Sequence, residues 1–111
     1  MAEQEIESLV AIWLAGDEDG LMHDACADNP ERAWLAIGET LKRDLTDDEK
    51  ALLAAGPLEN LLVWHGAAFI DRVEEEARRN SRFNDLLGGV WRQSMPSEIW
   101  SRVEAARLRI W

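Results

Sequence analysis

Apolar side chains recur three and four residues apart along almost the whole chain, and this helical spacing limits the fold more than any other feature. The clearest stripe consists of Phe69, Ile70, Val73 and Ala77, and the residues between them are mostly charged. No segment alternates apolar and polar residues for long enough to predict a strand. We therefore predict an all-α fold. It should be a compact bundle of about six or seven short helices, arranged either as a plain bundle or as stacked helical hairpins.

Capping residues and prolines predict where several of these helices begin. Asn29 followed by Pro30 is typical of a helix start, because Asn caps free backbone N–H groups and Pro suits the first turn. Thr46 and Glu49 have the spacing of a reciprocal capping box. Further starts are predicted at Ser81, with a helix through Val90, and at Pro96.

The stretch from 56 to 66 is predicted to contain two breaks between helices. Gly56 should end one helix, because glycine readily closes a helix C-terminus, and Pro57 should begin a short new one. That short helix is predicted to end near Gly66. The chain would then turn a tight corner before the stripe that begins at Phe69.

Length and composition indicate a single globular domain over residues 1–111. A hydrophobic fraction of 47% argues against disorder. No apolar run approaches the ~20 residues that span a bilayer. The acidic N-terminus is unlike a secretion signal, and the single Cys26 has no internal disulfide partner. We therefore expect a cytoplasmic protein.

Charge is distributed unevenly along the chain. Residues 1–59 carry 15 acidic and 4 basic residues, a balance of −11, whereas residues 60–111 carry 7 acidic and 8 basic residues, a balance of +1. Such a first half would repel nucleic acid phosphates and anionic membranes. It would attract a basic protein surface and speed encounter with it. The simpler alternative is that the acidity only keeps the protein soluble.

His65, which lies between Trp64 and Gly66, is the histidine most suggestive of a function. As a general base it would need a carboxylate close by, but Glu59 and Asp71 are each six residues away and so not beside it on one helix face. A histidine near a helix end can instead hydrogen-bond terminal carbonyl groups. We favour this structural role over catalysis or ligand binding.

Other potential chemical sites are weak in this sequence. His23 and Cys26 have a spacing that one metal ion could bridge, but a structural zinc site needs four ligands. The segment 17–20 lacks the ligand order of a calcium loop. No phosphate-binding motif is present, and the pair Gly88–Gly89 is better explained by a bend or a close backbone approach. We expect neither a metal nor a cofactor.

The chain has six tryptophans and no tyrosine. Trp13, Trp34 and Trp100 fall on apolar stripes, and we predict that they fill the core. Tryptophan and arginine are common at interface hot spots. A binding patch is therefore predicted from four other residues, with partial burial under a neighbouring helix as the alternative for the tryptophans: Trp64, Arg72, Trp91 and Arg92.

The segment from 56 to 92 resembles a family of small acidic bacterial proteins known only as a domain of unknown function. The shared pattern is GPLExLL, then HGxxFIDRxE, then LGGVWR, and the resemblance extends over roughly residues 10–105. It implies an all-helical fold and an intracellular bacterial source, but no activity. If the family has a working surface, the matching positions here are Glu59, His65, Gly66, Asp71, Arg72, Gly88, Gly89, Trp91 and Arg92.

These observations favour a non-enzymatic protein that binds another protein. Its acidic half would dock on a basic partner surface, as acidic inhibitors and immunity-type proteins do, without direct contact to nucleic acid or membrane. One alternative is a structural protein that forms homodimers through exposed tryptophans. The less favoured alternative is an enzyme in which His65, Asp71 and Arg72 converge. The predicted binding residues are Glu59, Trp64, His65, Asp71, Arg72, Trp91 and Arg92.

Overall fold

The computed structural model describes residues 3–111, which form seven α-helices and one π-helical turn. The all-α prediction is confirmed, and no strand occurs in this part of the chain. The helices are α1 (Glu3–Leu14), α2 (Leu21–Asp28), α3 (Pro30–Leu41), α4 (Asp47–Leu53), α5 (Glu59–Arg79), α6 (Ser81–Leu87) and α7 (Ser97–Ala106), with the π-helical turn at Ala54–Leu58.

Helix α5 is the longest element and occupies the centre of the bundle. It packs against α2, α3, α6 and α7. The stripe of Phe69, Ile70, Val73 and Ala77 is buried, as its spacing predicts. The core therefore forms around the helix with the clearest apolar stripe.

Two of the predicted helix starts are confirmed by their hydrogen bonds, and a third is shifted by one residue. Asn29 accepts a hydrogen bond from the backbone N–H of Arg32. Thr46 and Glu49 form both bonds of a capping box, at 3.1 and 2.9 Å. Asn80, not Ser81, caps α6, because its side-chain oxygen accepts from two backbone N–H groups of the first turn.

The predicted break at Gly56 and Pro57 is wrong. The backbone instead continues from α4 into α5 through the π-helical turn Ala54–Leu58, with Pro57 inside it. Proline has no N–H and its ring crowds the preceding turn of a regular α-helix. A wider turn gives the ring room, so the helix is distorted here and does not end.

The predicted corner at Gly66 is a kink, not a helix end. Residues 59–79 form one helix, and His65 alone has non-helical angles, with φ −135° and ψ 27°. A Cβ added to Gly66 would lie 2.9 Å from Cγ2 of Ile99 on α7. Gly66 is therefore needed for the close crossing of α5 and α7.

The pair Gly88–Gly89 makes the close approach that was predicted, but α6 ends at Leu87, before the expected Val90. A Cβ on Gly89 would lie 2.5 Å from the ring of Trp111. The backbone N–H of Trp111 donates to the carbonyl oxygen of Gly88 at 3.0 Å. The segment 107–111 thus lies across the two glycines.

Trp13, Trp34 and Trp100 pack against the core but are only partly buried, so the prediction that they fill it is wrong. The fully buried side chains are all smaller than tryptophan, and Phe83 is the largest of them. Trp34 illustrates the arrangement, since its ring contacts the rings of Phe69 and Phe83 at centroid distances of 5.9 and 5.6 Å. An indole is large enough to cover apolar side chains at the edge of the core while part of its own ring stays exposed.

Candidate functional site

The predicted binding residues are distributed over α5 and the loop that follows α6. Glu59 is buried at the start of α5, and its Oε1 accepts a hydrogen bond from the backbone N–H of Trp91 at 2.7 Å. The Trp91 side chain remains 63% exposed. Arg92 is exposed, and its Nε donates to the Met95 carbonyl oxygen at 3.2 Å. Glu59 therefore supports the loop that carries Trp91 and Arg92.

His65, Asp71 and Arg72 lie on one helix but have partners on three different neighbours. The Nε2 of His65 donates to the Ala27 carbonyl oxygen of α2 at 2.8 Å, which fits the structural role. Asp71 forms an ion pair with Arg102 of α7. Arg72 makes a two-point ion pair with Glu31 of α3. The structure thus does not bring the three side chains together as an acid–base set.

Arg72 is held further by two aromatic rings. Its guanidinium carbon lies 5.4 Å from the ring centroid of Trp34 and 5.0 Å from that of Phe69. Cation–π attraction adds to the pairing with Glu31. The guanidinium of Arg72 therefore already makes contacts within the protein, and it is less available to bind a partner.

A groove of about 400 Å³ lies beside the π-helical turn, and residues of α1, α2 and α4 also line it. We call this the π-turn groove. Its apolar lining comes from residues far apart in sequence: Trp13, Leu14, Met22, Leu52 and Pro57. Its polar lining consists of Asp17, His23, Glu49 and Asn60. Leu52 is 64% exposed, so a large apolar side chain stands open at this groove.

The two acidic residues of the π-turn groove are fixed by backbone hydrogen bonds. Asp17 has a left-handed φ of 47°, and its carboxylate accepts from the N–H groups of Leu21 and Met22 at 2.8 and 3.0 Å. Glu49 is the second partner of the capping box with Thr46. Both carboxylates are therefore held at the groove before any ligand arrives.

The π-helical turn exposes backbone at the groove. A Cβ added to Gly56 would meet no atom within 4 Å. On the buried side, the Sγ of Cys26 donates to the Pro57 carbonyl oxygen at 3.3 Å. Burial raises the pKa of Cys26 to about 12, so the thiol stays protonated and keeps this bond. π-Helical turns are frequent at functional sites.

Trp64 stands next to the π-turn groove through its contact with His23. The two rings meet edge to face at a centroid distance of 5.0 Å and an interplanar angle of 88°. The Nδ2 of Asn60 lies 3.5 Å from the Nδ1 of His23. Trp64 is 43% exposed. Of the predicted binding residues, Trp64 is thus the one that the contacts place beside the groove.

Ion pairing leaves most acidic side chains of the first half without a basic partner. Within residues 3–111, the paired acids of that half are Glu7, Glu31 and Glu39. The unpaired ones include two sequence clusters, at 17–28 and at 44–49, and Asp17 and Glu49 of the groove belong to them. The charge that is left over is therefore concentrated in segments that reach the π-turn groove.

The acids of the second half are mostly neutralised by arginines. The paired residues are Asp71, Glu74, Glu75, Glu76 and Asp85. Hydrogen bonds from Arg102 and Arg78 hold the pKa of Glu74 and of Glu75 below the ordinary range. This half thus offers little net charge to a partner.

Sequence reasoning missed the π-turn groove, because Gly56 and Pro57 were interpreted as a break and His23 only as a weak metal candidate. The one available signal was a Gly-Pro pair between two helical patterns with no polar linker around it. Across residues 3–111, no three His, Cys, Asp or Glu side chains group closely enough to hold a metal ion. In the same residues, every helix is too short or too polar to cross a membrane.

Comparison with known proteins gives one match. The family described as "Family of unknown function (DUF6869)" matches residues 3–110. No curated protein and no solved structure matches the chain.

Proposed function

The chain belongs to the DUF6869 family of unknown function, and from this premise we propose that it is a non-enzymatic protein that binds a basic surface of another protein. The observation that carries the proposal is the unpaired acidic charge of the first half. Its role would be that of an acidic inhibitor or immunity-type protein. No cofactor takes part in this function.

Electrostatics supports such a role in a specific way. Unpaired carboxylates on one part of a molecule accelerate encounter with a basic surface and discriminate against acidic partners. The same charge opposes direct binding to nucleic acid and to anionic membranes. Ion-paired acids contribute much less to this field, because a neighbouring arginine cancels their charge.

The proposal is tested by capture from a lysate of the source cells at low and high salt, with two matched variants. Glu18→Gln with Asp19→Asn removes two exposed, unpaired acids of the turn between α1 and α2. Glu98→Gln with Glu104→Gln removes two acids of the second half and changes net charge equally.

We expect a partner that is lost at high salt and is captured less by the first variant than by the second. Equal capture by both variants, or retention at high salt, would contradict a partner held by the acidic half.

A homodimer is the second candidate, and exposed apolar side chains favour it. Trp91, Leu108 and Ile110 are 63%, 90% and 67% exposed. Sedimentation of the wild type and of Trp91→Ser measures it directly. A concentration-dependent dimer that the substitution weakens would support this candidate, and a monomer at high concentration would remove it.

An enzyme that uses His65, Asp71 and Arg72 has the least support. Each side chain already has its own partner, on α2, α7 and α3 respectively. Direct acid–base cooperation needs hydrogen bonds between the groups, whereas each of these side chains is bonded to a residue of a different helix.

A further inference from the structure

We propose that the π-turn groove receives one bulky apolar side chain from the basic partner, flanked there by lysine or arginine residues. This inference rests on the proposed function and adds to it the place and the chemistry of docking. The partner segment is thereby defined as basic with an apolar anchor.

The size and lining of the groove fit such an anchor. Ligand sites usually range from about 300 to 1,000 Å³, and this groove of about 400 Å³ lies at the small end. Its apolar side chains include the open Leu52 and the partly buried Trp13. A side chain such as phenylalanine would remove both from water, whereas a basic side chain alone would leave them exposed.

Charge complementarity selects the residues beside the anchor. Asp17 and Glu49 both line the groove, and each lies next to further exposed acids along the chain, at 18–19 and 47–48. Since backbone hydrogen bonds already fix both carboxylates, a basic segment would meet them with little loss of freedom. An acidic or neutral apolar segment would lack this attraction.

Gly56 allows the groove to be blocked without removing any charge. An added Cβ there meets no atom within 4 Å, so Gly56→Leu should occupy the groove. Gly38 of α3 has the same open surroundings and does not line this groove, so Gly38→Leu is the matched control. Leu52→Ser is a second test variant, since Leu52 is largely exposed and contributes little to the core.

The probes are two synthetic peptides of alternating lysine and alanine, one with a central phenylalanine and its twin with alanine in that place. Because neither peptide contains tryptophan, every indole signal comes from the protein, including that of Trp13, which lines the groove. Calorimetry measures affinity at low salt, and amide chemical shifts map the site. Circular dichroism of each variant verifies that it is folded.

We expect the phenylalanine peptide to bind about tenfold more tightly than its twin, as burial of one such side chain predicts. Shifts should concentrate at residues of the groove. In Gly56→Leu and Leu52→Ser both peptides should still bind, but the ratio of their affinities should fall toward one. In Gly38→Leu the ratio should remain about tenfold.

Four outcomes would overturn the inference. They are equal binding of the two peptides to the wild type, shifts that map elsewhere, an unchanged preference in folded Gly56→Leu, and a homodimer in sedimentation that Gly56→Leu dissociates and Gly38→Leu does not. In the first three outcomes the peptides still bind at low salt, and the proposed function survives. If neither peptide binds at low salt, the proposed function itself fails.

Discussion

At the scale of single residues, the glycines show how one residue type serves opposite purposes. Gly38 and Gly56 have open space where a side chain would be, whereas Gly66 and Gly89 lie against neighbouring side chains. Glycine in an open helical position costs stability through the freedom of the unfolded chain. Glycine at a crossing permits a contact that any Cβ would obstruct.

Replacing Gly66 and Gly38 by alanine should therefore change stability in opposite directions. At Gly66 the new methyl would lie 2.9 Å from Cγ2 of Ile99, whose branched side chain has few alternative rotamers. We expect Gly66→Ala to lower the free energy of unfolding by about 1–3 kcal/mol. Gly38→Ala should raise it by about 0.4–1 kcal/mol. Urea denaturation measures both, and an equal effect of the two substitutions would contradict the close crossing.

Residue-scale prediction from sequence succeeded where the physics is local. Asn29 and Thr46 each accept from a backbone N–H three residues further along, so their roles follow from spacing alone. The choice between Asn80 and Ser81 is also local, and it failed because both residue types are good caps. The hydrogen bond of His65 fits the structural role that we favour, but its partner Ala27 lies on another helix and no spacing could identify it.

At the scale of elements, a buried carboxylate ties the loop after α6 to the start of α5. Glu59 accepts the backbone N–H of Trp91, and this loop carries the exposed Trp91 and Arg92. Burial raises the pKa of Glu59, and hydrogen bonds from Trp91 and Gln93 oppose the shift without cancelling it. Ionised Glu59 is thus less favourable in the folded protein than in the unfolded chain.

The sign of this shift gives a pH prediction for Glu59→Gln. A raised folded pKa means that the contribution of Glu59 to stability is full below the ordinary carboxyl pKa and is lost as pH rises through the folded value. We expect the unfolding free energy of the wild type, relative to Glu59→Gln, to fall between acidic and neutral pH. Urea denaturation at several pH values measures the difference.

Glu59→Ala separates the hydrogen bond from the charge. It leaves the N–H of Trp91 without its acceptor, and we expect the free energy of unfolding to fall by about 1–3 kcal/mol.

Other acids also titrate in the pH experiment on Glu59→Gln. Glu31 and Glu74 have lowered pKa values, so their contribution to stability is lost as pH falls, and it cancels when the wild type is compared with Glu59→Gln. A difference that is independent of pH would show that Glu59 is not desolvated.

Element prediction from sequence was right about type and wrong about continuity. Every predicted helix has a counterpart, because buried stripes at three and four residue spacings have few other solutions. The joins at Gly56 and Gly66 were misjudged, because a glycine or proline marks a break only when packing does not hold the helix together. Here the Cys26 thiol supports the turn at Pro57, and Ile99 packs on Gly66.

At the scale of the whole molecule, a net charge of −10 is carried on a chain whose second half is nearly neutral. Among residues 3–111, the unpaired acids are mostly in the first half, on α1, α2, α4 and the turns beside them. Charges of one sign repel each other in the folded state more than in an expanded chain. The protein therefore folds against its own electrostatic repulsion.

Salt should consequently stabilise the protein. Raising KCl from about 10 to about 150 mM shortens the screening length from about 30 to about 8 Å. We expect the melting temperature to rise by at least about 2 °C, since screening of repulsion outweighs the loss of exposed ion pairs, which contribute little. The rise should be smaller for Glu18→Gln with Asp19→Asn. A melting temperature that falls with salt would mean that the ion pairs of α5 and α7 dominate.

The whole-molecule picture marks the limit of prediction from sequence. The charge split between the halves is visible in the sequence because it needs only a count. The π-turn groove is not, because Trp13, Asp17, Glu49 and Gly56 come together only through the packing of α1, α2 and α4 around a turn that was itself not predicted. The spacing of apolar residues along a helix predicts which face is buried. It does not predict where the packed helices leave a groove between them.

The backbone of Gly89 is wedged between two elements that are distant in sequence. A methyl there would touch both the ring of Trp111 and, at 2.9 Å, the Cβ of Ala54 in the π-helical turn. A displacement of that turn toward Gly89 would therefore press on the indole of Trp111. Trp111 does not line the π-turn groove, yet its indole would respond to movement of the turn beside that groove.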